Sequence, residues 1–223
     1  MECVLYGVGS PFVEEVLEAL RRLEWDVRGG VANIQADYRP DLEPIVGPDE
    51  IPPEWLELPA VLALVTPGHR WSIEREVLAK GFTSFATVVD PTASVASTAV
   101  LGEGSVVCAG SLLGACSTLG RLVCVNKGAI VGHHATLSDY AALGPGCTLC
   151  GYVLVGPGAF VGAGAVVNPK VSIGANAVVS SGSLVRRDVP EHTIVAGNPA
   201  VVVAEVAGYN DVTVGERSGD LRG

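Results

Sequence analysis

The sequence predicts a small parallel α/β domain of Rossmann-like type followed by a three-sided parallel β-helix. Three observations carry this. Every sixth residue from Val95 to Val185 is aliphatic, with no insertion. Residues 1–86 lack that period and alternate apolar runs with amphipathic stretches. Glycine accounts for 28 of 223 residues and aromatic residues for only 5%. Average glycine usage is roughly 7%, so this core must be built from small side chains and closely packed backbones.

The amino-terminal elements follow from their local patterns. Cys3–Tyr6 is an apolar run ending in Gly7-Val8-Gly9-Ser10, and after Pro11 the segment Val13–Leu23 places apolar residues at helical spacing. This is a strand, a glycine turn and a helix. Asp26–Val31 suits a second strand, Ala60–Val65 a buried third, Trp71–Lys80 a helix, and Phe82–Val89 a last strand leading into the β-helix. Tyr38–Pro59, with six prolines and many acidic residues, is an irregular connection. Alternating strands and helices make a parallel sheet, whose ligands sit beyond the carboxyl ends of the strands. A glycine-rich turn that opens a helix there offers N–H groups to phosphate. Gly7-x-Gly9 lacks the third glycine of the dinucleotide fingerprint, so a plain tight turn is the alternative. Gly68, after the third strand, falls on the same edge of the sheet.

In the second half, each hexapeptide carries one large aliphatic residue and, four positions later, an Ala, Ser, Val or Cys. Such a unit is a short flat strand plus a corner. Three units close one coil, residues 18 apart stack, and residues 95–185 give about five coils. The position after each aliphatic is mostly Gly, Asn, Ser or Cys, and Gly and Asn fit the corners, where positive φ is often required. An amphipathic helix would show a period of 3.6 and hairpins would interrupt the repeat with turn dipeptides.

Lys and Arg total 14 against 24 Asp and Glu, a net charge of −10. That argues against nucleic acid or an anionic membrane as partner, because both need clustered cations. No window approaches the ~18 apolar residues of a membrane span, and no signal-peptide pattern opens the chain, so the expected location is cytoplasmic. Five of six cysteines lie in the repeat, where small core residues belong, and Cys147-x-x-Cys150 alone is a weak metal or redox signal. No metal is expected. Of four histidines, His69 and His192 fit surface loops. His133 and His134 occupy the third and fourth positions of one hexapeptide, close to a corner. Imidazole titrates near neutrality and can take a proton from an attacking amine or hydroxyl, so His133 is the candidate general base, with a structural role as the alternative. His134 is either its orienting partner or a bystander.

The uninterrupted ladder, Asn126 followed by His133, then Asp139-Tyr140, Pro145-Gly146, Gly151 and the closing Gly197-Asn198-Pro199-Ala200, resembles the left-handed β-helix acyltransferases. The leading Tyr6-Gly7-x-Gly9 narrows the resemblance to the sialic acid O-acetyltransferase and nucleotide-4-amino-sugar N-acetyltransferase family, over residues 3–206. The resemblance implies a left-handed coil and a homotrimer with acetyl-CoA between neighbouring prisms. It divides the chain into a sugar-nucleotide-binding domain (1–88), an acyltransferase domain (89–206) and a flexible tail (207–223). Matching positions imply Gly9, Ser10, Asn33 and Gly68 for the nucleotide and Asn126 near the acceptor. Ala142, Gly151, Ala163 and Ser181 fall on cofactor-contacting positions, and His133 deprotonates the acceptor.

Several positions depart from the family pattern. His134 stands where a carboxylate usually follows the catalytic histidine, and Ala142 where a cofactor-contacting histidine is usual. Ser10-Pro11 replaces Gly-His, Ala32-Asn33 replaces an acidic residue, and Val201 a basic one. The expected function is an acetyl-CoA-dependent N- or O-acetyltransferase acting on an amino- or hydroxyl-bearing, nucleotide-linked sugar. The alternative is a binding homologue that has lost turnover, motivated by His134, Ala142 and Pro11. A zinc lyase on the same prism needs three converging histidines, and the repeat holds two.

Overall fold

A computed structural model describes residues 1–34, 38 and 40–206; the expected tail, 207–223, lies outside the described residues. The amino-terminal part contains β1 (Glu2–Tyr6), α1 (Phe12–Arg22), β2 (Asp26–Val31), β3 (Ile45–Val46), β4 (Ala60–Leu62) and α2 (Pro67–Ala79). The sheet order is β3-β2-β1-β4 with every neighbouring pair parallel. Four of five residues of β1 are fully buried, as a central strand covered on both faces requires. Helix α1 buries Val13, Val16, Leu17 and Leu20, one stripe at helical spacing.

Three expectations need correction here. Helix α2 begins at Pro67, four residues early, because Thr66-Pro67 supplies an extended cap residue and a proline in the first turn, where its missing N–H costs nothing. Strand β3 and a 3-10 turn at Pro53–Glu57 lie within the connection expected to be irregular. Phe82–Val89 is not a strand of the first domain. Phe85 makes a single bridge to Ala60, and Val88–Val89 is the first rung of the β-helix, paired with Val106–Val107.

The β-helix has three sheets of five, six and eight strands, the last including the closing hairpin of Thr193–Gly197 and Ala200–Glu205. Rungs pair in parallel 18 residues apart, as in Val131 with Leu113 on one side and Leu149 on the other. The repeating aliphatic residues face inward, and those from Val107 to Val185 are buried. Each fully buried Val or Leu contributes about 1.5–3 kcal/mol, so the ladder stabilises the column along its length.

Positive φ does not fall on the residue after each aliphatic but two places later, at Cys116, Leu122, His134, Tyr140, Tyr152 and Lys170 among others. The left-handed conformation costs an L-residue about 1–2 kcal/mol. Each such corner is tied by its N–H to the preceding coil, as in His134 to the Ala115 carbonyl at 2.9 Å. Glycines directly after the aliphatic are needed for close approach instead: a Cβ at Gly132 would lie 2.6 Å from the carbonyl carbon of Cys150.

The α/β domain is seated on the first coils. Val88, Val106 and Cys108 share a core with β1 and α1. Arg22 pairs with Asp90 at 2.8 Å, Lys127 with Glu15, and Arg121 with Glu74 of α2 at 2.8 Å. Tyr140 donates to the same Glu74 carboxylate. Burial first, and this bond next, push the Tyr140 hydroxyl well above its ordinary value. Helix α2 is thereby fastened to the β-helix through the residue that follows Ser72 and Ile73.

Candidate active site

His133 and His134 stand at one corner of the prism, both exposed. The rung Ile130–Val131 delivers them, and the positive φ of His134 (+58°) turns the chain there. The His133 ring lies directly over Gly151, one coil on: a Cβ on Gly151 would be 2.5 Å from His133 Nε2 and 2.6 Å from Cε1. Only glycine leaves room for it. The two Nδ1 atoms are 3.2 Å apart, so one imidazole donates and the other, neutral at that nitrogen, accepts. Tyr152 completes the group, stacked on His134 at 4.7 Å and 15° and edge-on to His133 at 5.2 Å and 89°. Among the described residues, neither imidazole has a carboxylate partner. The Gly151 N–H has no backbone acceptor among the described residues.

The remaining candidates do not gather at this corner. Ala163 and Ser181 are exposed on another corner, in line with Lys127 and Pro145, so one chain separates them from His133 by a face of the prism. Asn126 is 6% exposed and its Oδ1 accepts from the Lys127 N–H at 2.8 Å. Ala142, expected at a cofactor-contacting position, has a fully buried side chain. It belongs to the sheet whose outward residues Val88, Val106 and Cys124 are also buried, the first two against the α/β domain. Cys147 is buried as well, and desolvation pushes its thiol up to about 12, which disfavours the thiolate that metal or redox chemistry needs.

A second concavity lies at the carboxyl ends of β1, β2 and β4. This cavity of about 280 Å³ is lined by Gly7, Gly9, Ser10, Asn33, Ile34, Leu64, Val65, Thr66, His69, Ser72 and Ile73. Gly9, Ser10 and Asn33 of the expected nucleotide-binding positions are among these lining residues. Gly68 is buried in the first turn of α2 and does not line it, whereas its neighbours Thr66 and His69 do. The glycine turn has spent most of its donors. Gly7 and Val8 donate to the Val31 carbonyl, Phe12 to Ser10 Oγ and Val13 to the Ser10 carbonyl. The start of α2 is open by comparison, with no side-chain cap and no acidic residue in its first turn, so its positive dipole end faces the cavity uncompensated.

Three exposed cations, Lys170, Arg186 and Arg187, continue the His133 corner on the later coils, and none has an ion-pair partner among the described residues. His69, read as a surface-loop residue, lies instead in the first turn of α2 and lines the cavity, and Tyr152 and these three cations were not singled out from sequence. For Tyr152, Lys170 and Arg187 the signal was present in the 18-residue register, which stacks them on the His133 and His134 columns.

Comparison with known proteins gives a consistent picture. The bacterial transferase hexapeptide (six repeats) family matches residues 152–187. GDP-perosamine N-acetyl transferase from Caulobacter crescentus, solved in complex with CoA and GDP-perosamine, is 32% identical with a TM-score of 0.82, covering 92% of this chain and 98% of that one. The acetyltransferase domain of PglB from Neisseria gonorrhoeae, also solved with acetyl coenzyme A, is 26% identical at a TM-score of 0.80, over 91% of this chain. It is covered over 99% of its own length in one structure and 98% in the other. WeeI from Acinetobacter baumannii, 21% identical with a TM-score of 0.81 over 91% of this chain and 100% of that one, shares the fold. No curated protein matches the chain. No helix among the described residues is long and apolar enough to cross a membrane.

Proposed function

This chain belongs to the left-handed β-helix acyltransferases of the nucleotide-amino-sugar family, and on that premise we propose that it acetylates the amine of a nucleotide-linked amino sugar, with acetyl-CoA as donor and His133 as general base. The observation that carries this reading is the outward-facing His133 ring laid over Gly151. With His133 Nδ1–H donating to His134 Nδ1, the Nε2 lone pair is free to take a proton from the attacking amine. The new C–N bond forms at the thioester carbon, the C–S bond breaks, and the proton held on His133 passes to the leaving thiolate. The uncommitted Gly151 N–H is a backbone donor for the oxygen that gains charge in between. Hydroxyl acceptors use the same steps with oxygen as nucleophile.

Ala163 and Ser181 lie on a different corner from His133, so a complete donor site requires the corner of a second copy. Exposed Ile130 and Leu154 beside the His133 corner favour such packing. A homotrimer closes this arrangement with three equivalent seams. Lys170, Arg186 and Arg187 supply the cations that the donor's phosphates need in a chain of net charge −10. The nucleotide occupies the α/β cavity, where the open amides of α2 and the hydroxyls of Ser10, Thr66 and Ser72 meet phosphate without a cation.

Thiol release from acetyl-CoA, measured with a panel of amino-sugar nucleotides on the protein and on His133→Ala, tests the reading. Acceptor-dependent release that His133→Ala abolishes supports it; release unchanged in that variant removes His133 as base. A solution mass three times the 22.9 kDa of one chain supports the trimer, and a monomer that turns over removes the shared seam.

A further inference from the structure

We propose that Tyr152 is a positioning residue for the general base: by stacking on His134 it holds that imidazole as the acceptor that fixes the tautomer of His133. The inference rests on the assignment of His133 as base and adds what makes a base of it in the absence of a carboxylate.

The 3.2 Å contact between the two Nδ1 atoms can run in either sense. When His133 donates, its Nε2 carries a lone pair. When His134 donates, His133 carries its proton on Nε2 and can accept none from a substrate. A carboxylate at position 134 would settle the sense because it only accepts, whereas an imidazole can do either. The surroundings must therefore settle it. His133 Nε2 sits in the space a Gly151 Cβ would fill, where an N–H finds no acceptor among the described residues and a lone pair stays available. On the other side, the Tyr152 ring lies flat on His134 at 4.7 Å and 15°. It keeps the Nδ1 edge of His134 turned to His133 and leaves the other nitrogen, as donor, to solvent. Both residues leave corners of positive φ whose N–H groups are bonded to the preceding coil, His134 to Ala115 at 2.9 Å and Tyr152 to His133 at 3.0 Å. The stack thus stands on fixed backbone one coil apart, and the Tyr152 amide is tied to the residue whose side chain it helps to orient.

The test uses the full chain and the variants Tyr152→Phe, Tyr152→Leu and Tyr152→Ala, each alone and combined with His134→Glu. Losing the stack is expected to lower kcat by up to about tenfold, the worth of an aromatic pair, in Tyr152→Leu and Tyr152→Ala. Tyr152→Phe is expected to retain wild-type turnover, because the ring face and not the hydroxyl makes the contact. With glutamate at position 134, all three changes are expected to be neutral. Nitrogen-15 spectra of the imidazoles are expected to show His133 protonated on Nδ1 in the parent protein and as a tautomer mixture in Tyr152→Ala. An equal loss of kcat in both backgrounds, a loss in Tyr152→Phe, or a His133 tautomer unchanged by Tyr152→Ala overturns the proposal. Failure of the base assignment shows separately, as turnover that survives His133→Ala. The spectra test the tautomer lock whatever the turnover.

Discussion

Replacing Gly151 with alanine places a methyl carbon 2.5 Å from His133 Nε2 and 2.6 Å from Cε1. Nonbonded heavy atoms ordinarily keep about 3.5 Å apart, so the ring must withdraw by roughly 1 Å. A displacement of that size at a reacting group costs on the order of 10²-fold in rate, or about 2.7 kcal/mol of barrier. The fold should hardly notice. Gly151 is not in the positive-φ region, and the clash falls on the exposed end of a side chain that can swing away. A surface change of this kind is worth about 0.5 kcal/mol at most, or roughly 1–2 °C in Tm for a chain of this size. Gly132→Ala is the contrasting control, because its Cβ would meet the Cys150 backbone, with 2.6 Å to the carbonyl carbon. That rung cannot move without breaking its ladder, so a loss of about 1–3 kcal/mol and several degrees is expected. Thiol-release kinetics at saturating acetyl-CoA and thermal unfolding read the two effects. Wild-type kcat in Gly151→Ala would mean that the ring does not lie over Gly151, and a drop in Tm as large as that of Gly132→Ala would mean that the loss is one of folding.

His134→Glu is expected to give equal or faster turnover, because a carboxylate can only accept the His133 Nδ1–H whereas an imidazole can also donate. A collapse of turnover in this variant would count against the reading. Changing Lys170, Arg186 and Arg187 together to Gln is expected to raise KM for acetyl-CoA by about tenfold or more with kcat preserved. KM for acetyl-pantetheine, which has no nucleotide phosphates, should not move, and an equal rise for both donors would release these residues from the role. Burial opposes the charge on Asp90, but hydrogen bonds from the Thr92 hydroxyl and amide and from Arg22 outweigh it and hold the carboxyl below its ordinary value. Its contribution to stability is therefore present above the unfolded-state pKa and is lost as pH falls through the folded one. Asp90→Asn should lower stability by about 1–3 kcal/mol and flatten the acid side of a Tm-against-pH curve, and a curve parallel to that of the parent would refute this.

The β-helix was legible because its period is exact in the sequence and needs no long-range information. One aliphatic in six fixes the strands, and the strands fix which residues stack. That same register placed His133 on Gly151. It did not show where positive φ falls, because the glycines that mark each repeat answer to the neighbouring coil and the turns are taken by Cys116, His134 or Tyr152 as readily as by glycine. In the α/β domain, the glycine turn drew attention to α1. Hydrogen bonds from Gly7, Val8 and Phe12 had already used most of its donors, which no local pattern reports. The open helix end belongs to α2, whose start at Thr66-Pro67 was hidden by a following sequence of weak amphipathicity.

Because rungs pair at a constant spacing of 18, the column between His133 and Arg187 acts as a ruler. Losing or gaining one residue in between would rotate everything after it to the wrong side, so natural variation there must proceed by replacement in place or by whole turns. Each added turn would lengthen the separation by about 4.8 Å. The number of turns, more than any single contact, would then set how long a donor this enzyme can span.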